Sequence, residues 1–154
     1  MMFIDTEDLL TDTPDNVFRS LSSKQLILIP VVTDASAVTG GGSHWTLVVY
    51  VKGVNDRLFH FDSGNSFKIN NESVKIIATK LKDVLGLENT FQLTNMSCPQ
   101  QTNGYDCGVH VCINAECILE QSLEKNLSID QISIENCEGR HRILQTAKSF
   151  LKSA

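Results

Sequence analysis

The sequence predicts an α+β fold, with a run of strands in the middle of the chain and helices packed on them. Three observations carry this expectation. Short apolar runs rich in branched and aromatic residues recur between Leu26 and Phe61, each bounded by turn residues. Two stretches, Asn71 to Leu85 and Gly139 to Leu151, repeat apolar residues at three- and four-residue steps. The chain has 154 residues, 42% hydrophobic and 20% charged, which suits a single domain over 1–154 with a real core. That composition excludes a disordered chain, a collagen-like repeat and a simple coiled coil.

The elements follow in order. Leu26 to Val32 is short and branched and reads as a buried strand. Thr33 to Ser43 reads as a loop, marked by Asp34 and by Gly40-Gly41-Gly42. Trp45 to Val51 is a strong strand signal, and the turn Lys52 to Asp56 leads into a second strand, Leu58 to Phe61. Asp62-Ser63-Gly64-Asn65 ends it. The two strands form a hairpin, so His44 at the start of one and Asp62 at the end of the other stand at adjacent ends.

From Asn71 to Leu85, the residues Val74, Ile77, Ala78, Leu81 and Leu85 share one helical face, and Gly86 suits the C-cap. Phe91-Gln92-Leu93 suggests another strand, and Ser97 to Gly104 a polar loop. Cys107 to Glu120 reads as a mostly buried helix. Gly139 to Leu151 reads as a closing amphipathic helix.

Charge and composition narrow the partners. The net charge of −5 argues against nucleic acid and anionic membranes, both of which call for basic patches. The longest apolar run falls far short of the roughly 20 residues a spanning helix needs. The acidic start, Met1 to Asp8, lacks the features of a signal peptide. Five cysteines, an odd count in a chain with ample core, argue against a disulfide framework and for a reduced setting in the cytoplasm or nucleus. Cys107, Cys112 and Cys117 are five residues apart and no C-x-x-C occurs, so no zinc site and no metal or other cofactor is expected.

Three residue types converge on one chemistry. A thiol attacks as its thiolate, and a helix N-terminus favours that anion. Cys107 stands where a polar loop meets a helix. An imidazole can take the proton and later return it to a leaving group, and a carboxylate can hold the ring in one tautomer. His44 and Asp62 fit those two parts. Gln101, six residues before Cys107, carries an N–H that could face a developing oxyanion, with the backbone N–H of Cys107 as the second donor. Each residue also has a plain reading: a hydrogen-bonded surface histidine, an ordinary turn, a small buried cysteine. Cys112 and Cys117 stay in that last class. His60 and His110 read as structural, and His141 as a solvated helix position.

Beyond these readings, three strings resemble one family. Pro99-Gln100-Gln101-Thr102-Asn103-Gly104-Tyr105-Asp106-Cys107-Gly108 resembles the nucleophile motif of the sentrin-specific, or ubiquitin-like-protein-specific, cysteine proteases. Gly42-Ser43-His44-Trp45-Thr46-Leu47-Val48-Val49-Tyr50 is similar to their histidine motif, and Phe59-His60-Phe61-Asp62-Ser63 to their aspartate motif. All three stand in family order, and their form is nearest the deneddylase branch. The resemblance implies a papain-like (adenain-like) fold with a central antiparallel or mixed sheet. It implies cleavage after the Gly-Gly end of a ubiquitin-like modifier, Nedd-type first and sentrin-type second, in precursor maturation or deconjugation. Cys107 would be the nucleophile, His44 the base and acid, Asp62 the orienting carboxylate, Gln101 the oxyanion donor and Trp45 a wall of the channel for the two glycines. A monomer is expected.

The family's N-terminal helical part, with its Trp-Leu-x-Asp-type segment, is expected to have no counterpart here, because Trp45 is the single tryptophan. Two other functions therefore stand beside the protease. One is a weakly catalytic module that binds the modifier. The other is an acetyltransferase on the same His–acid–Cys plan, which Asp62 and Gln101 fit less well.

Overall fold

The computed structural model describes residues 21, 23–33, 44–53, 57–64, 72–88, 91–124, 128–132 and 134. The expected glycine-rich loop, the closing helix with His141, and Cys137 lie outside them. The described elements are β1 (Leu26–Thr33), β2 (His44–Val51), β3 (Arg57–Phe61), α1 (Glu72–Leu85), β4 (Gln92–Met96) and α2 (Cys107–Leu119). A π-helical turn (Glu120–Glu124) and a 3-10 turn (Ile129–Gln131) follow.

The four strands form one sheet in the order β1-β2-β3-β4. The first three pair antiparallel, and β4 pairs parallel to β3, so the sheet is mixed. α1 is the crossover that a parallel pairing requires. Pro30 lies inside β1, and an edge strand tolerates a residue with no N–H to donate.

Both faces of the sheet are covered, which is why β1 and β2 read as nearly unbroken apolar runs rather than alternating ones. Ile27, Ile29, Val31, Val48, Tyr50 and Leu58 pack with Val74, Ile77 and Leu81 of α1. Leu28, Leu47, Val49, Phe59 and Phe61 pack on the other face with Val111, Ala115 and Ile118 of α2. Each such side chain, fully buried, contributes about 1.5–3 kcal/mol.

The end of α1 confirms the expected glycine cap. Gly86 adopts φ +64°, its N–H donates to the Asp83 carbonyl at 3.2 Å, and the Leu87 N–H donates to the Lys82 carbonyl at 3.1 Å. These two bonds are those of a Schellman motif.

Two expectations are corrected. Cys112 is exposed, because it occupies the one face of α2 turned from the core that Val111, Ala115 and Ile118 define. Cys117 is buried as expected, but it is disulfide-bonded rather than a free thiol.

Candidate active site

The site lies at one end of the sheet, where β2 begins and where β3 and β4 finish. The register sets its first pair. Leu47 faces Phe61 across the antiparallel β2–β3 ladder. Continued three steps, that register puts His44 opposite Gly64, beside Asp62.

His44 Nε2 lies 2.6 Å from Asp62 Oδ1, with both side chains about one-fifth exposed. With the carboxylate oxygen as acceptor, Nε2 is the donor of this pair, and Nδ1 is the ring nitrogen not engaged by Asp62. The same Oδ1 accepts the Gly64 N–H at 2.8 Å. Gly64 is required by a close approach: a Cβ there would stand 2.9 Å from His44 Nε2 and 3.2 Å from Asp62 Oδ1.

The segment after β3 is stitched to the loop that leads to α2. The Asp62 carbonyl accepts the Cys98 thiol at 3.1 Å and the Gln100 amide at 3.0 Å. Asn114 of α2 also hydrogen-bonds Cys98. Cys98 thus ties the end of β3 to the helix that begins with Cys107. Burial, and next the nearby Asp62 carboxylate, push the Cys98 thiol up to about 11, so it stays protonated at neutral pH.

Gln101 is clamped at both ends. Its N–H donates to the Ser63 carbonyl at 2.8 Å. Its Oε1 accepts the Ser63 hydroxyl at 2.9 Å, and its Nε2 donates to the Asn103 carbonyl at 2.7 Å. Asn103 then shapes the entry to α2. Its Oδ1 accepts the N–H groups of Tyr105 at 3.1 Å and Asp106 at 2.9 Å, and its Nδ2 donates to Asp106 Oδ2 at 2.8 Å. No side chain caps α2 at Asp106, so this asparagine turn is what orders its start.

Cys107 is a free, buried cysteine at the first position of α2. Trp45, 40% exposed, lies against the residue that follows it: a Cβ on Gly108 would stand 4.0 Å from Trp45 Cδ1. Tyr105, 76% exposed, stands on the loop two residues before Cys107. The structure therefore joins His44 to Asp62 directly, fastens Gln101 to the residue after Asp62, and sets Trp45 against the first turn that carries Cys107.

Two histidines take the structural places expected of them. His60 is buried, and its Nδ1 lies 3.0 Å from Asn95 Oδ1. Desolvation holds it below its ordinary 6.5, outweighing the Asn95 bond and Asp62, which raise it. His110 is half-buried on α2. Among the described residues, no group of three His, Cys, Asp or Glu side chains is arranged to hold a metal ion.

The sequence reading passed over Ser63, Gly64 and Gln100. A serine and a glycine directly after the candidate carboxylate look like an ordinary turn. The signal was the paired glutamine run Gln100-Gln101, whose two amides bind the Asp62 carbonyl and the Ser63 hydroxyl.

A model of the Ulp1 protease family, C-terminal catalytic domain, matches residues 7–145. The chain belongs to the Ulp1 protease family. Its mixed sheet and packed helices are those of that fold. The probable sentrin-specific protease 8 of Dictyostelium discoideum is 35% identical over 113 residues, which cover 70% of this chain and 45% of that protein. The NEDD8-specific protease 1 of Arabidopsis thaliana is 33% identical over 102 residues, covering 66% of this chain and 44% of that protein. This Ulp1-family chain thus spans less than half the length of these two relatives. Among solved structures, the Xanthomonas campestris effector protein XopD bound to ubiquitin superposes with a TM-score of 0.67 at 19% identity, over 94% of this chain and 75% of that one, and so shares the fold.

Proposed function

We propose that this chain is a cysteine protease and isopeptidase that cleaves after the C-terminal Gly-Gly of a ubiquitin-like modifier. One observation carries the reading: His44 is paired through Nε2 with Asp62, and the next residue, Trp45, lies against the first turn of the helix that begins with a free cysteine. The relatives' names include both sentrin-specific and NEDD8-specific proteases, and this reading takes a Nedd-type modifier first and a sentrin-type modifier second. The same reading includes precursor maturation, deconjugation, or both, by a monomer working in the cytoplasm or nucleus.

The mechanism uses the pairing directly. His44 Nδ1 takes the proton of Cys107 Sγ, and the thiolate attacks the carbonyl of the modifier's terminal glycine. Asp62 holds the ring and stabilises the imidazolium. The Gln101 amide and the Cys107 backbone N–H receive the oxyanion. His44 then protonates the departing amine, leaving a thioester between Cys107 and the modifier. A water molecule, deprotonated by His44, hydrolyses it. Trp45 forms one wall of the slot for the two glycines, which have no side chain to exclude.

The test is labelling with modifiers that carry an electrophile on the terminal glycine. The Nedd-type probe is expected to form an adduct, lost in Cys107→Ala and strongly slowed in His44→Ala. Gln101→Ala is expected to slow turnover by about 10²–10³-fold. Measurable binding of the modifier with no adduct would replace this reading with that of a binding module.

A further inference from the structure

We propose that Ser63 is a positioning residue, which holds in place the Gln101 amide whose donating end the Asn103 carbonyl selects for the reacting carbonyl. The inference rests on the proposed function, because it gives the Gln101 amide its task.

A glutamine amide has an accepting end and a donating end of nearly the same shape, and only the donating end stabilises an oxyanion. The wrong end would set a carbonyl oxygen against the developing negative charge. Something must therefore select the rotamer before substrate arrives.

The surroundings of Gln101 select it and hold it with two contacts. The Asn103 carbonyl can only accept, so it takes an Nε2 hydrogen, at 2.7 Å. The flipped amide would put two carbonyl oxygens together there. The Ser63 hydroxyl then donates to Oε1 at 2.9 Å. Ser63 is 2% exposed, so water does not readily replace that donor. The Ser63 carbonyl meanwhile holds the Gln101 backbone N–H at 2.8 Å. Backbone and side chain are both anchored on one residue, and one Nε2 hydrogen remains beyond the Asn103 bond to serve the oxyanion.

Ser63 also directly follows Asp62. The strand end that orients the base thereby orients the oxyanion donor too.

The test is turnover of a ubiquitin-like modifier bearing a fluorogenic amine on its terminal glycine. Ser63→Ala is expected to lower kcat by about 10- to 100-fold, the cost of a slightly misplaced catalytic group, with KM little changed. In a Gln101→Ala background the same substitution is expected to cost nothing more. Alkylation of Cys107 by iodoacetamide, a displacement that builds no oxyanion, is expected to keep its rate. An unchanged kcat in Ser63→Ala, or an equal loss in the Gln101→Ala background, would overturn the proposal. Side-chain amide 15N relaxation of Gln101 tests it without turnover: rigid in the native protein and mobile in Ser63→Ala. Equal rigidity in both would overturn it as well. An inactive native protein would sink the proteolytic reading alone, and the relaxation result would still decide the role of Ser63.

Discussion

Replacing Gly64 by alanine tests the site where its tolerance is smallest. The new methyl carbon would stand 2.9 Å from His44 Nε2, 3.0 Å from His44 Cε1 and 3.2 Å from Asp62 Oδ1. Carbon contacts sit comfortably at about 3.5–4.0 Å, so ring and carboxylate must retreat by roughly 0.5–1 Å. Gly64 is not among the glycines with positive φ, so backbone strain adds nothing to this steric effect. A displacement near 1 Å in a catalytic group costs about 10²-fold, or about 2.7 kcal/mol of barrier. Overpacking a filled site also costs about 1–3 kcal/mol of stability, so thermal unfolding is measured beside turnover of the Gly-Gly fluorogenic substrate. The expected result is a kcat/KM lower by about 10²-fold in protein that is still folded at the assay temperature. A folded Gly64→Ala variant with turnover within about twofold of native would refute the argument, because a displacement that costs about 10²-fold would be absent. The imidazole would then not be the base in this position.

Three further outcomes are expected. At pH 8 the native protein should protect Cys98 from iodoacetamide, since burial and Asp62 push its thiol up to about 11; mass spectrometry of the labelled peptides reads this, and rapid native-state labelling of Cys98 would contradict it. Burial lowers the pKa of His60 from 6.5, so the unfolded chain binds its proton first. The stability from keeping that ring neutral is fully present above pH 6.5 and is lost as pH falls toward the lower folded value; Tm between pH 7 and pH 5 should therefore fall less in His60→Gln than in the native protein. Gly86→Ala should cost about 1–2 kcal/mol in urea unfolding, purely from the left-handed backbone, because a Cβ there meets nothing within 4 Å.

Much of the fold was legible because its signals are local. β1 and β2 carry branched apolar runs, α1 carries one clean apolar face, and Gly86 announces where that helix stops. β4 was legible only in part. Leu93 was expected in a strand, but Thr94, Asn95 and Met96 have no apolar alternation. Their extended form comes from parallel pairing with Phe59, His60 and Phe61, more than thirty residues earlier, and no local propensity records such a partner. Cys112 was misplaced for a similar reason: a helix apolar nearly all round gives no clue to which face meets water. In the candidate site, His44, Asp62, Gln101, Trp45 and Cys107 were all named from residue type and order. Ser63, Gly64 and Gln100 were not, because their contributions lie in a missing methyl group and in bonds to backbone carbonyls. Such roles depend on shape and leave no chemical signature in the residue type.

The bonds from Cys98 and Gln100 to the Asp62 carbonyl close a 36-residue excursion at its base. α1, the helix on that excursion, hangs from a fastened neck and packs on the face of the sheet away from α2. Substitutions there are accordingly free to alter how firmly the domain holds together while leaving the spacing of the reactive groups alone. An engineer wishing to splice a sensor or a targeting peptide into this protein should cut within that excursion, and should leave the knot beneath it untouched.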